Sequence, residues 1–189
     1  MSMSVSFNNK EITLINFLIT FYKNKIELFG DIINQKTPLS LRLLDWLVTN
    51  YSKKYNITYP LKYNTETIYF NIYIDYKNQL KAYSKKFFDP FCRQKRLIID
   101  PVTLKWRTYV SEENVSKKDI VTTVGQLNFF RWFIENKVID YALTNIELID
   151  KDMVATINSK KKGRRCVLSP SAVKGIYTNN YDITIKFKP

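Results

Sequence analysis

Apolar residues recur near the start of the chain at alternating gaps of three and four. Ile12, Ile15, Ile19, Tyr22, Ile26, Phe29 and Ile33 make an a/d seam, which predicts one helix over residues 10–34 with Gly30 fraying its end. Three heptads favour a helix packed on its own core. The sharper alternative is the seam of a homodimer through residues 10–34. Thr37 and Pro38 then open a second helix, as N-cap and first helical residue. Its buried stripe is Leu41, Leu44, Leu47, Val48 and Tyr51, and it stops near Ser52–Lys54. Loop follows to Tyr59–Leu61. Thr67–Asp75 alternates and is rich in β-branched and aromatic residues, so it reads as a strand.

Tyr76 to Phe88 reads as a helix. Tyr76, Leu80, Tyr83 and Phe87 share one face, and Lys77, Lys81 and Lys85 line a neighbouring one. Asp89-Pro90 ends it. Arg96–Ile99 and Leu104–Val110 form a hairpin turning at Asp100–Thr103, and Ser111–Lys118 is polar loop. Thr123 to about Leu143 is the most strongly specified helix, with a capping box of Thr123 and Gln126. Leu127, Phe130, Ile134, Val138 and Tyr141 make one stripe, while Phe129, Trp132, Ile139 and Leu143 lie roughly opposite. A helix apolar on both sides is a central one. Arg131 and Glu135 are spaced to pair. Ser169-Pro170 opens a short helix to near Gly175, and Tyr181–Phe187 alternates as a last strand.

These elements predict an α+β fold: a single compact domain, mostly antiparallel sheet, packed around a central apolar helix at about 123–143, with helices at the N-terminal end. The organisation expected is an N-terminal helix over 1–36 and a basic α+β domain over 37–189. With 45% apolar residues in 189, a chain of this size has the material for a core. Membrane insertion is not expected, because the uncharged apolar stretch Ile12–Tyr22 is too short to span a bilayer. The first ten residues lack the features of a secretory signal, so secretion is not expected. Cys92 and Cys166 form no CxxC pair, and two free thiols are the simpler reading.

Charge changes the picture. The chain carries a net +13, unevenly spread. Residues 81–118 hold 10 Lys and Arg against 4 Asp and Glu, and residues 158–189 hold 8 against 1. A slightly acidic stretch, 119–157, separates them. An AT-rich coding bias can supply lysine, but it does not cluster it. Two basic segments favour a polyanion partner, nucleic acid first. The candidate contacts in one are Lys77, Lys81, Lys85, Lys86, Arg93, Lys95 and Arg96, interleaved with Tyr83, Phe87, Phe88 and Phe91. Spacing commits Tyr83 and Phe87 to the core and leaves Phe88 and Phe91 less committed. This favours contact with the phosphate backbone over base stacking, with duplex DNA first and RNA left open. The other segment is Lys160, Lys161, Lys162, Arg164 and Arg165 around Gly163. It ranks first as a phosphate clamp, then as a solvated loop, then as a K-K-x-R import signal. The two segments are expected to converge on one surface.

Histidine is absent. That excludes Ser-His and Cys-His nucleophiles, HExxH zinc sites and Cys2His2 fingers. No phosphate-binding or dinucleotide glycine motif and no GxSxG occurs. A cofactor is not expected, and neither is catalysis. The surviving enzymatic alternative is a metal-dependent nuclease at Asp150 and Asp152, with Asp140 or Glu147, against which an acidic loop after a helix is the commoner reading. A structural or protein-interaction role in a larger assembly is the other alternative.

Three stretches carry a family likeness: Ser40–Lys54 (SLRLLDWLVTNYSKK), Lys81–Arg96 (KAYSKKFFDPFCRQKR) and Thr122–Tyr141 (TTVGQLNFFRWFIENKVIDY). Together they resemble a family of uncharacterised proteins of the nucleocytoplasmic large DNA viruses, mimivirus-like and marseillevirus-like members included. The resemblance implies a viral protein, located in the infected cell (cytoplasm, virus factory or nucleus) or in the virion. It brings no catalytic residues. For a basic protein in that setting it implies work on the viral genome, in organisation, packaging, replication or transcription.

Overall fold

The computed structural model describes residues 6–63 and 66–163. Asn8 starts the first helix, α1 (Asn9–Tyr22), through a full capping box. Its Oδ1 accepts from the Glu11 amide at 2.8 Å, and Glu11 Oε2 accepts from the Asn8 amide at 2.9 Å. The single helix expected over 10–34 is in fact two. Polar Lys23, Asn24 and Lys25 form a tight turn, with the Lys25 amide bonded to the Tyr22 carbonyl, and α2 (Ile26–Ile33) follows at a new angle. The break lets the Tyr22 and Phe29 rings meet at 4.9 Å. The seam positions Ile15, Tyr22, Ile26 and Phe29 are buried in this chain's own core. Gly30 does not fray the helix. A Cβ there would come within 2.9 Å of Ile120 Cδ1, so glycine permits α2 to lie close on the strand that holds Ile120.

The next helix starts later than expected. Ser40, not Thr37, accepts from the third amide, and Leu39 just before it is buried. The Thr37 hydroxyl is buried with no hydrogen-bond partner among the described residues. One rod then runs through α3 (Leu41–Trp46), a π turn (Leu47–Tyr51) and α4 (Ser52–Tyr55). Its core stripe uses Leu43 with Leu44, Leu47, Val48 and Tyr51. Leu41 is only partly buried.

The hairpin β1 (Thr58–Tyr63) and β2 (Glu66–Asn71) is antiparallel, with Leu61 opposite Ile68. The alternation at 67–75 therefore yields strand only as far as Asn71. There the Asn71 side chain accepts from the Ile74 amide at 3.0 Å, and a cap overrides β propensity. The result is α5 (Ile72–Phe87). A second sheet has the order β4-β3-β5, all antiparallel, from β3 (Arg96–Ile99), β4 (Trp106–Thr108) and β5 (Ile120–Thr123). Asp100 makes the expected turn, accepting from the Val102 amide at 2.9 Å and the Thr103 hydroxyl at 2.7 Å.

β5 leads straight into α6 (Val124–Glu135), capped by Thr123 as expected. The capping box is only half formed, because the Gln126 side chain is used elsewhere. The expected single helix stops at Asn136–Lys137, where Lys137 takes φ 54°, and α7 (Val138–Thr144) follows. In α6, Val124 to Phe130, Trp132 and Phe133 are all buried, so it is the central helix. The folded region is α+β with small antiparallel sheets around it.

The acidic stretch after α7 is not loop but α8 (Ile146–Gly163). Residues to Met153 form one compact unit, and those from Val154 form a second. The short helix expected at 169–175 and the strand expected at 181–187 lie outside the described residues. No helix among the described residues is long and apolar enough to cross a membrane.

Asp152, nearly buried, accepts from Trp46 Nε1 at 3.0 Å, from Tyr55 OH at 3.1 Å and from Lys54 Nζ. Burial alone would raise its carboxyl, but these hydrogen bonds outweigh it and hold the group below its ordinary range. A carboxyl depressed in the folded state stabilises above its unfolded pKa, and that stability is lost as pH falls through the folded value. Asp152→Asn is therefore expected to cost about 2 kcal/mol at neutral pH, roughly 4–8 °C in melting temperature. The gap to the parent should shrink below about pH 4, as thermal melts at both pH values would show.

Candidate nucleic-acid interface

The three stretches that carry the family likeness meet in space around the turn after α5. Two polar residues of α6, Gln126 and Asn128, are fully buried there. Asn128 Nδ2 donates to the Phe87 carbonyl at 2.9 Å, and Gln126 Nε2 donates to the Pro90 carbonyl at 2.8 Å. The Asp89 amide donates to the Gly125 carbonyl at 3.3 Å. A Cβ on Gly125 would sit 3.2 Å from the Lys86 carbonyl, so the close approach depends on glycine. Buried side-chain amides thus satisfy the Phe87 carbonyl at the end of α5 and the Pro90 carbonyl in the turn after it. Ser84, at φ 58° and ψ 169°, takes a backbone conformation that non-glycine residues rarely adopt. It re-aims the chain just before Lys85 and Lys86.

The seven basic residues expected from this segment divide into two groups. Lys86 and Lys95 converge on Glu11, each 3.3 Å from one carboxylate oxygen, and Lys95 also donates to the Ser6 carbonyl at 2.9 Å. Glu11 is only 2% exposed. Burial pushes its carboxyl up, yet the Asn8 amide and the two ammonium groups win and hold it below its usual range. Arg93 grips Asp89 with two bonds, at 2.9 and 2.6 Å, and lies over the Phe91 ring. Behind that pair stands Asp45, whose carboxyl is pushed up by burial and then by Asp89. Tyr76 beside them is pushed up to about 12, mainly by burial. Arg93 is therefore committed to internal neutralisation.

Lys77, Lys81, Lys85 and Arg96 are exposed and make no salt bridge among the described residues. Arg96 lies over the Tyr109 ring at 5.5 Å. Of the seven, these four are free of carboxylate partners among the described residues. Phe88 is a core residue, 2% exposed and packed on Trp132, while Phe91 is half-buried under Arg93. Burial pushes the Cys92 thiol up, which makes it a poor nucleophile. Cys166 lies outside the described residues. Lys160, Lys161 and Lys162 fall on the last turns of α8. Arg164 and Arg165 are outside the described residues.

The carboxylates considered for a metal stand on α7 and α8. Asp152 is taken up by Lys54, Trp46 and Tyr55, and Glu147 pairs with Lys151 at 3.7 Å. Asp140 and Asp150 are exposed. No group of three His, Cys, Asp or Glu among the described residues is placed to hold a metal ion.

Glu11 was not legible as part of this site. Glu11 limits how many cations can turn to phosphate. Glu11→Gln keeps the capping box, which Gln also forms, and releases Lys86 and Lys95. On duplex DNA the plot of log affinity against log salt is expected to steepen by about 1.8, at about 0.9 per phosphate contact. An unchanged slope means that the two lysines do not reach phosphate.

Residues 2–186 match a family of unknown function, DUF7197. The chain belongs to this family. An uncharacterized protein, L507 of Acanthamoeba polyphaga mimivirus, is 37% identical to this DUF7197 member over 162 residues, which are 84% of this chain and 60% of that protein. The chain thus spans about 60% of that relative's length. The expected kinship with uncharacterised giant-virus proteins is borne out. No solved structure matches the chain.

Proposed function

We propose that this DUF7197 member is a non-enzymatic nucleic-acid-binding protein of a giant virus that holds the phosphate backbone with little sequence readout. The observation that carries this reading is that Lys77, Lys81, Lys85 and Arg96 are exposed and unpaired by carboxylates among the described residues. Four phosphate contacts give a log-log salt slope of about −3.6 on B-DNA, or roughly a 150-fold loss of affinity between about 50 and 200 mM salt. Lys160 to Arg165 would add to this. Weak sequence readout is supported by the burial of α6, the best-formed helix, which leaves it no face for a groove. The role is one on the viral genome in the infected cell, in organisation, packaging, replication or transcription. Titration of duplex DNA, single-stranded DNA and RNA with the full chain at low salt tests this. Micromolar or tighter binding to at least one probe is expected, and no binding to any of them refutes it.

A further inference from the structure

We propose that the groove between α1 and α5 takes unpaired nucleobases, so that the polyanion held by the lysines is a single strand. This rests on the nucleic-acid reading above and names its substrate class. The groove is open, has a volume of 620 Å³ and is lined by Asn9, Lys10, Thr13, Leu14, Phe17 and Tyr83. It is shallow and open to solvent, so a planar base can lie against its rings without being enclosed.

Phe17 is 57% exposed on a helix whose opposite face, Ile15, Leu18 and Tyr22, fills the core. Tyr83 lies nearly parallel to Phe88, at 18° and 6.5 Å between ring centres, and Phe88 is fixed among core rings. Tyr83 is thus braced before any ligand arrives, and a pre-set aromatic ring loses little entropy when a base stacks on it. The two rings line one groove with Leu14 and a single cation, Lys10. Its neighbour Glu11 gathers Lys86 and Lys95, and Lys81 and Lys85 flank Tyr83 in sequence. Rings for bases beside cations for phosphates is the arrangement single strands use.

The chain's net charge of +13 opposes a second copy of itself as the occupant and favours a polyanion. Duplex DNA keeps its base faces stacked inside, so it can reach the lysines but not Phe17 and Tyr83. Tyr83 packs partly against the core, as its spacing implies, and also lines the groove.

The test titrates three fluorescent probes of about 12 nucleotides with the full chain at low salt. They are oligothymidine, an abasic strand of the same length and charge, and a duplex. Oligothymidine is expected to bind at least about tenfold tighter than the abasic strand. Phe17→Ala is expected to weaken oligothymidine about 5- to 100-fold and to leave the abasic strand unchanged. Phe17→Tyr should restore binding. Because Phe17 is exposed, an unchanged melting temperature confirms that the variant folds. Equal affinity for oligothymidine and the abasic strand, or an equal loss on every probe, overturns the groove assignment. In that case an acidic amphipathic peptide becomes its better occupant, while binding of the duplex and abasic probes leaves the phosphate reading standing. Failure of every probe to bind overturns both.

Discussion

Trp132→Ala is expected to destabilise the fold by about 3–5 kcal/mol, a drop of roughly 6–20 °C in melting temperature. The indole is 1% exposed. It meets Phe88 at 5.6 Å, Phe133 at 5.3 Å and Phe70 at 6.0 Å, and its Nε1 donates to Asp75 on α5. Removing it empties the place where β2, α5, the turn after α5 and α6 meet. Rigid neighbours collapse little into such a void, so the cavity cost adds to the lost burial. Domains are stable by about 5–15 kcal/mol, so the variant loses a large share of its stability. Urea titration followed by tryptophan-independent circular dichroism checks this. A loss below about 1 kcal/mol would mean that α6 is not the central pillar.

The second large effect is on binding. Replacing Lys77, Lys81, Lys85 and Arg96 together by Gln is expected to flatten the duplex salt slope by about 3.6 and to weaken binding at low salt by two orders of magnitude or more. These side chains are exposed and form no salt bridge among the described residues, so the melting temperature should barely move. Loss of binding with stability retained separates a phosphate-contact role from a structural one. A slope change of less than about one contact would shift the burden to Lys160–Arg165.

What could be read from the sequence was local. β3 lies where its apolar run placed it, Asp100 makes its turn, and Thr123 caps α6. Lys77 and Lys81 of α5 are wet because their four-residue spacing lies beside the Tyr76 stripe, whereas Lys85 follows the non-helical Ser84. What could not be read was set by tertiary packing. The apolar period runs unbroken across Lys23–Lys25 and Asn136–Lys137, yet the chain bends at both to pack α2 and α7, and a positive φ at Lys137 carries no signature. β1 was hidden by Pro60, which argues against a strand except at an edge. α8 was hidden because its stripe of Ile146, Ile149 and Met153 is interrupted by acids. Within the site, Glu11 reads as an ordinary helix-start acid. Its partners lie 75 and 84 positions away, so nothing nearby announces that it binds two of the seven expected cations. Phe17 sits between seam positions and looks like surplus core.

Affinity of the full chain for single-stranded DNA, duplex DNA and RNA, measured from about 50 to 200 mM salt, tests phosphate-backbone recognition most directly. Four uncommitted cations predict a slope of at least about −2.8 on single strands and −3.6 on duplex, with little dependence on base sequence. A slope near zero, or no binding at the lowest salt, would contradict it.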